Sequence, residues 1–326
     1  MRVKNAVVVI TGASSGIGRA TALAFAGKGA SVVLAARRKD ALEHAARECE
    51  SRGGRALAVP TDVADCAAVE ELARQAVGRF GRIDIWVNAA AVTLFGPFQE
   101  VPLEDFRRVL DVNVMGYVHG ARAALPYLRA KGRGVLVNIS SVVSFAPEPY
   151  AIAYTMSKSA VSALSAGLRQ ELLLAGDRKV EVCTVLPATI DTRLFQHAAN
   201  YTGRRVRAMP PVYPPERVAR AIVRLARAPC AEVIVGPAGR VLRLQAKVSP
   251  RMVERLMAGY VDRAHLSRKE QAPPSPGNLY TPAPDTGSVD GGWHGRRRTA
   301  VRRLATAAAL AALAVAGLRR RHLLMS

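Results

Sequence analysis

The chain has 326 residues, of which 50% are hydrophobic and 5% aromatic, and it carries a formal net charge of +22. That is long enough for one α/β domain with a covered sheet plus a remainder, and the composition excludes a disordered or fibrous chain. Cys49, Cys66, Cys183 and Cys230 form no regular spacing and the histidines are scattered, which argues against a zinc site or a disulfide framework and for a reducing compartment.

Ala6-Val-Val-Val-Ile10 is the first short apolar run, so close to the start that a cytoplasmic chain without a secretory leader is expected. Similar β-branched runs recur at 31–36, 56–59, 83–87, 135–139 and 180–186, with helical patterns between them at 41–49, 67–80 and 151–174. Continuous apolar strands alternating with helices predict a doubly wound α/β fold, a parallel sheet of about seven strands buried on both faces. The seventh is expected at 232–235, after a helix that starts near Pro215. Residues 1–238 then form one catalytic domain, and 239–270 a helical extension. Residues 271–299, rich in Pro and Gly, read as a flexible linker, and 300–326 as a basic, Ala/Leu-rich C-terminal helix.

Thr11-Gly-Ala-Ser-Ser-Gly-Ile-Gly18 joins the first strand to the first helix. A pyrophosphate needs backbone N–H groups aimed at it and no Cβ atoms in its way. Glycines at a strand-to-helix turn supply both, and the helix N-terminus adds partial positive charge. The candidate contacts are Gly12, Ser14, Ser15, Gly16, Ile17 and Gly18. After the second strand comes Ala35-Ala-Arg-Arg38, with no acid to hold a ribose diol; Arg37 instead suits a 2′-phosphate, which favours NADP(H) over NAD(H).

Tyr154-Thr-Met-Ser-Lys158 sets a phenol and an ammonium one helical turn apart, on a helix expected to begin near Pro149. A free phenol titrates near pH ~10. At ~4 Å and an effective dielectric of ~20, the cation favours the phenolate by roughly 4 kcal/mol, or about three pKa units before desolvation opposes it. The expectation is a Tyr154 brought near working pH as an acid/base.

The glycine turn, Tyr154-x-x-x-Lys158 and Asn138-Ile-Ser-Ser141, in this order, resemble the short-chain dehydrogenase/reductase family over about residues 5 to 236. The resemblance implies a Rossmann fold and hydride transfer between NADP(H) and a carbonyl or secondary alcohol. It implies Ser141 as the residue that orients the substrate oxygen, and Asn113 as the start of a proton relay through Lys158. Asn is a poor residue in mid-helix, so its place in Asp111-Val-Asn-Val114 invites a functional reading. Further cofactor contacts implied are Asp62, Val63, Asn88, Pro187, Ile190 and Thr192, with Tyr154 and Lys158. Ser15 stands where NADP-using relatives often carry a basic residue, Ala89 and Ala91 depart from the usual Asn-Asn-Ala-Gly, and Ala188 replaces a usual Gly. No metal is expected, and homo-oligomers are common among such relatives.

Phe95, Phe98, Phe145 and Phe195 either belong to the core or suggest a lipophilic substrate, walled by 93–98 and 193–214. Residues 304–318 carry no charge and lie between arginine clusters. As a helix they would span roughly 22 Å against a bilayer core of ~30 Å. A membrane anchor, an interfacial helix and a helix docked on the domain all fit; association with a membrane surface is the reading adopted. A non-catalytic NADP-binding sensor or scaffold is the alternative to an enzyme. Nucleic-acid binding has only the tail's charge in its favour and is not expected.

Overall fold

A computed structural model describes residues 2–284, 287–295, 297, 300 and 301. The chain runs β1 (Val7–Thr11), α1 (Gly16–Ala26), β2 (Ser31–Ala36), α2 (Lys39–Ser51), β3 (Arg55–Pro60), α3 (Cys66–Phe80) and β4 (Ile85–Asn88). The short β5 (Leu94–Phe95) follows, then α4 (Leu103–Leu110), a π turn at Asp111–Met115, α5 (Gly116–Ala130), β6 (Gly134–Ile139), α6 (Ile152–Leu174) and β7 (Val180–Pro187). The last part holds β8 (Ala199–Asn200), β9 (Arg204–Val206), α7 (Pro215–Arg227), β10 (Glu232–Val235), α8 (Pro237–Val248), α9 (Pro250–Ala264) and β11 (Leu266–Gln271).

Seven strands form one parallel sheet in the order β10-β7-β6-β4-β1-β2-β3. Consecutive side chains of a strand leave on opposite faces, so a strand covered on both sides is apolar throughout. In β1, Val8 and Ile10 join a core layer with Leu34 and the Val218 and Ile222 of α7. Val9 joins the opposite layer, with Val33, Trp86, Leu72 and Leu128. Two short pairs lie outside this sheet, β5 with β8 and β9 with β11.

The order reverses between β4 and β1, where the chain crosses from one half of the sheet to the other. In such sheets the carboxyl ends of the strands open a crevice at that point. The strand ends at Thr11, Asn88 and Ile139 therefore define where a ligand can sit.

Two local expectations give way, and one helix is widened as the family resemblance implies. α6 starts at Ile152 rather than near Pro149, because Tyr150 takes a positive φ of 64° that no helix continues. The helix expected around Asn113 is wound as a π turn over Asp111–Met115, between α4 and α5. The segment read as a flexible linker is instead laid along the domain: Leu279 is fully buried in the core layer that holds Val63, Val109 and Val112. Among the described residues no helix is long and apolar enough to cross a membrane. Residues 304–318 and the neighbouring arginines Arg296, Arg298, Arg302, Arg303 and Arg319 to Arg321 lie outside the described residues.

Candidate active site

The glycine turn sits at the carboxyl end of β1. Gly12 has a φ of +68°, and a Cβ on it would stand 2.7 Å from Ala90 Cα. A Cβ on Gly18 would overlap the Gly12 carbonyl oxygen. The turn thus packs at backbone distance, and the first amides of α1, which have no intrahelical acceptor, face the crevice, that of Gly16 donating to the Ser288 carbonyl at 2.8 Å. Thr11 Oγ1 accepts from the amides of Ala89 at 3.1 Å and Ala90 at 3.3 Å, which ties the end of β4 to the turn. A cavity of about 560 Å³ runs from Gly12 and Ile17 to Tyr154 and beyond. Its glycine cradle and helix N-terminus fit a dinucleotide pyrophosphate.

The other proposed cofactor contacts divide. Ser14, Ser15, Gly16, Arg37, Asp62, Val63, Pro187, Ile190 and Thr192 line this cavity. Asp62 accepts from Arg108 at 2.6 Å and from the Ala64 amide at 3.0 Å, while Asp65 caps α3 through Ala68 N. Asn88 does not line the cavity and is fully buried. Its Oδ1 accepts from Trp86 Nε1 at 2.8 Å and its Nδ2 donates to Asn138 Oδ1 at 2.9 Å; Asn138 Nδ2 in turn donates to Ser165 Oγ on α6 at 2.9 Å. Asn88 is therefore corrected from a cofactor contact to a scaffold residue. Arg37 faces the cavity, but its guanidinium donates to the carbonyls of Asn278 at 2.6 Å, Leu279 at 3.0 Å and Tyr280 at 2.9 Å.

Ser141, Tyr154 and Lys158 open into the same cavity. Tyr154 and Lys158 share one face of α6, with Lys158 Nζ 5.5 Å from the centre of the Tyr154 ring. Lys158 is buried and donates to the Ile139 carbonyl at 2.9 Å and to the Tyr117 hydroxyl at 3.4 Å. Ser141 Oγ accepts from Val143 N at 3.3 Å and donates to the Pro187 carbonyl at 3.4 Å. The neighbouring Ser140 also lines the cavity, but its hydroxyl donates to the Lys158 backbone carbonyl at 2.7 Å.

Asn113 lies behind this group, off the cavity. Its amide donates to Val92 O at 2.8 Å and Ser157 Oγ at 3.0 Å, and accepts from Val92 N at 2.9 Å. It clamps the π turn to the segment after β4 and to α6.

The electrostatics differ from the expectation. Burial, seconded by Glu148, raises the Tyr154 pKa above the usual phenol value, and a hydrogen bond from Ser141 offsets only part of this. Burial also pushes Lys158 down to about 7, so near neutrality it is only partly protonated. Desolvation of both groups outweighs the attraction between phenolate and ammonium that their spacing suggests.

Glu148, missed in the sequence, lines the cavity beside Tyr154, and burial raises its carboxyl to about 7. Tyr117, buried against Lys158 Nζ, and His265 were missed too. His265 lines the cavity with its ring 4.8 Å from Phe95 and 5.1 Å from Phe195, and burial holds its pKa down at about 4, so it is a neutral aromatic wall. Phe95 and Phe195 line the cavity, whereas Phe98 is 64% exposed and Phe145 packs in the cluster with Val253 and Met257. α8 and α9 supply Leu242, Leu256, Met257 and Tyr260 to the far wall.

The sequence model of the short chain dehydrogenases matches residues 6–201. The chain belongs to that family. The oxidoreductase YxnA of Bacillus subtilis is 35% identical over 283 residues, 86% of this chain and 79% of its own. That match is longer than the 6–201 matched by the family model, so it runs on beyond it. A short-chain dehydrogenase/reductase from Burkholderia phymatum, solved in complex with NAD, is similar with a TM-score of 0.69 and 27% identity, covering 76% of this chain and 96% of that one. An alcohol dehydrogenase from the archaeon Thermococcus sibiricus, complexed with 5-hydroxy-NADP, gives a TM-score of 0.61 and 29% identity over 70% of this chain and 95% of its own. This protein is an oxidoreductase of the hydride-transferring, short-chain dehydrogenase type.

Proposed function

We propose that this enzyme moves a hydride between NADP(H) and the carbon of a carbonyl or secondary alcohol on a lipophilic substrate. The observation that carries the reading is the opening of Ser141, Tyr154 and Lys158 into the cavity that begins at the glycine turn. The nicotinamide, when bound, supplies or accepts the hydride. Ser141 Oγ holds the substrate oxygen, and Tyr154 gives its hydroxyl proton to that oxygen in reduction or takes one back in oxidation. A phenol held above its usual pKa is a proton donor in the resting site, which suits reduction. Lys158, at about 7, exchanges protons readily near neutrality and stands behind Tyr154 as the next group of the relay. Asn113 keeps the π turn and α6 in register beneath them.

Arg37 and Arg38 follow β2 where an NAD site would place an acid on the strand end, which supports NADP over NAD, although Asp40 pairs with Arg38 at 3.5 Å. Phe95, Phe195, Met257 and the neutral His265 support a lipophilic substrate. The test is oxidation of NADPH and NADH, followed by absorbance, across a panel of apolar and polar ketones. Turnover with NADPH on apolar ketones is expected. No turnover with either cofactor on any ketone or alcohol would return the chain to the scaffold reading. For the basic tail, residues 300–326, we propose association with a membrane surface; equal partitioning of chains with and without it would overturn this.

A further inference from the structure

The C-terminal stretches 275–284 and 287–295 cross the mouth of the crevice and are fastened at three places along it. At the β2 end, Arg37 donates to the carbonyls of Asn278, Leu279 and Tyr280, Arg38 donates to that of Ala283 at 2.8 Å, and Leu279 is buried in the core. Over the glycine turn, the Gly16 amide donates to the Ser288 carbonyl at 2.8 Å and Arg19 to that of Gly287 at 3.0 Å. Beyond β7, Asp191 is 3% exposed, and its carboxylate accepts the amides of Gly291 at 3.0 Å, Trp293 at 2.9 Å and Gly295 at 2.7 Å. Trp293 Nε1 also donates to the Thr192 carbonyl at 3.1 Å.

The fit is built into the sequence. A Cβ on Gly287, whose φ is +74°, would overlap the Ser14 carbonyl, and one on Gly291 would overlap that of Thr192. Asn278, Pro282, Ala283 and Gly287 face the same cavity as Gly12, Ile17 and Tyr154. The stretches therefore line the cavity along its mouth, and their carbonyls take up the Gly16 amide and the Arg37 guanidinium.

We propose that these two stretches are the outer wall of the dinucleotide site, and that Arg37 and Asp191 are positioning residues that hold the wall shut over a bound nicotinamide dinucleotide. The inference rests on the dinucleotide reading of the crevice. A dinucleotide running from the β2 end to the loop after β7 lies beneath all three fastenings, so it enters and leaves only when they open. Arg37 then serves the wall first, and a 2′-phosphate reaches it only by displacing strap carbonyls or sharing the guanidinium with them. Three backbone amides on one buried carboxylate make the Asp191 end the firmer latch.

The test uses the full chain and stopped-flow fluorescence of NADPH and NADH release. Gly287→Val, Asp191→Ala and wild type are compared, with thermal unfolding as the check on folding. Release about tenfold faster or more in both variants is expected, the scale of one or two lost hydrogen bonds. Hydrogen exchange of wild type is the second measurement, and it serves also if the variants do not fold. The amides of Gly291, Trp293 and Gly295 should exchange more slowly once cofactor is bound. Release rates within twofold of wild type in folded variants, or exchange at those amides unchanged by cofactor, overturn the proposal. Failure of wild type to bind either dinucleotide overturns the function reading instead.

Discussion

At the glycine turn the crevice is lined by backbone, and at its other end by side chains drawn from far apart in the chain. Gly12, Gly16 and Gly18 lie within one turn of chain, while Phe95, Phe195, Met257 and His265 meet only after the fold has closed. The first region fits a dinucleotide pyrophosphate, and a Cβ on Gly12 or Gly18 would have no room there. The second takes its walls from loops and from α9. Chemistry common to a family is thus held by local sequence, and selectivity by long-range assembly.

The comparison can be broken first at the chemical step between the two regions. Tyr154→Phe should lower kcat by about a thousandfold, the usual scale for losing an acid/base group, while leaving NADPH affinity within about twofold of wild type. Steady-state rates and fluorescence titration check both. Gly18→Ala strikes the backbone region alone. Its methyl would overlap the Gly12 carbonyl, so NADPH binding should weaken about a hundredfold, near 3 kcal/mol, by the same titration in a chain that still folds.

A smaller effect belongs to the boundary. Glu148 opposes the Tyr154 phenolate only when ionised, and its own pKa is about 7. Glu148→Gln removes that opposition, so the Tyr154 pKa falls. In the pH profile of kcat/KM for alcohol oxidation, the limb set by Tyr154 should move down by about one unit. The difference should appear above pH 7 and fade below it, where the wild-type carboxyl is already neutral. An unmoved limb would separate Glu148 from the acid/base. Smallest of all, Phe195→Ala should raise KM about fivefold for apolar ketones and little for polar ones, with cofactor affinity unchanged.

Much of the sheet was legible because its signals are local. Short β-branched runs between helical patterns mark strands covered on both faces, and β10 was found from Glu232–Val235 in the same way. The glycine turn and the Tyr154–Lys158 pair are likewise read from spacing alone. What stayed hidden depends on how the chain folds back on itself, which composition and spacing do not show. The Gly/Pro-rich stretch after Gln271 has the composition of a linker, yet its glycines are what let it lie against Ser14 and Thr192. Glu148, between two prolines, gives no sign of facing a phenol, and His265 looks like any other scattered histidine. The acidity of Tyr154 was misjudged for a related reason. Its spacing from Lys158 is visible, but the burial of both groups is not.

Asn88, displaced from the list of cofactor contacts, sets something else. The line from Trp86 through Asn88 and Asn138 to Ser165 crosses the interior of the sheet and ends on the helix that carries Tyr154. Were α6 to slide by one residue along its axis, Ser165 would leave Asn138 and strand amide groups where no solvent reaches, a loss of about 1–3 kcal/mol for each. The chain of amides therefore acts as a depth stop. It fixes how far the phenol projects into the crevice, from a point some three helical turns away.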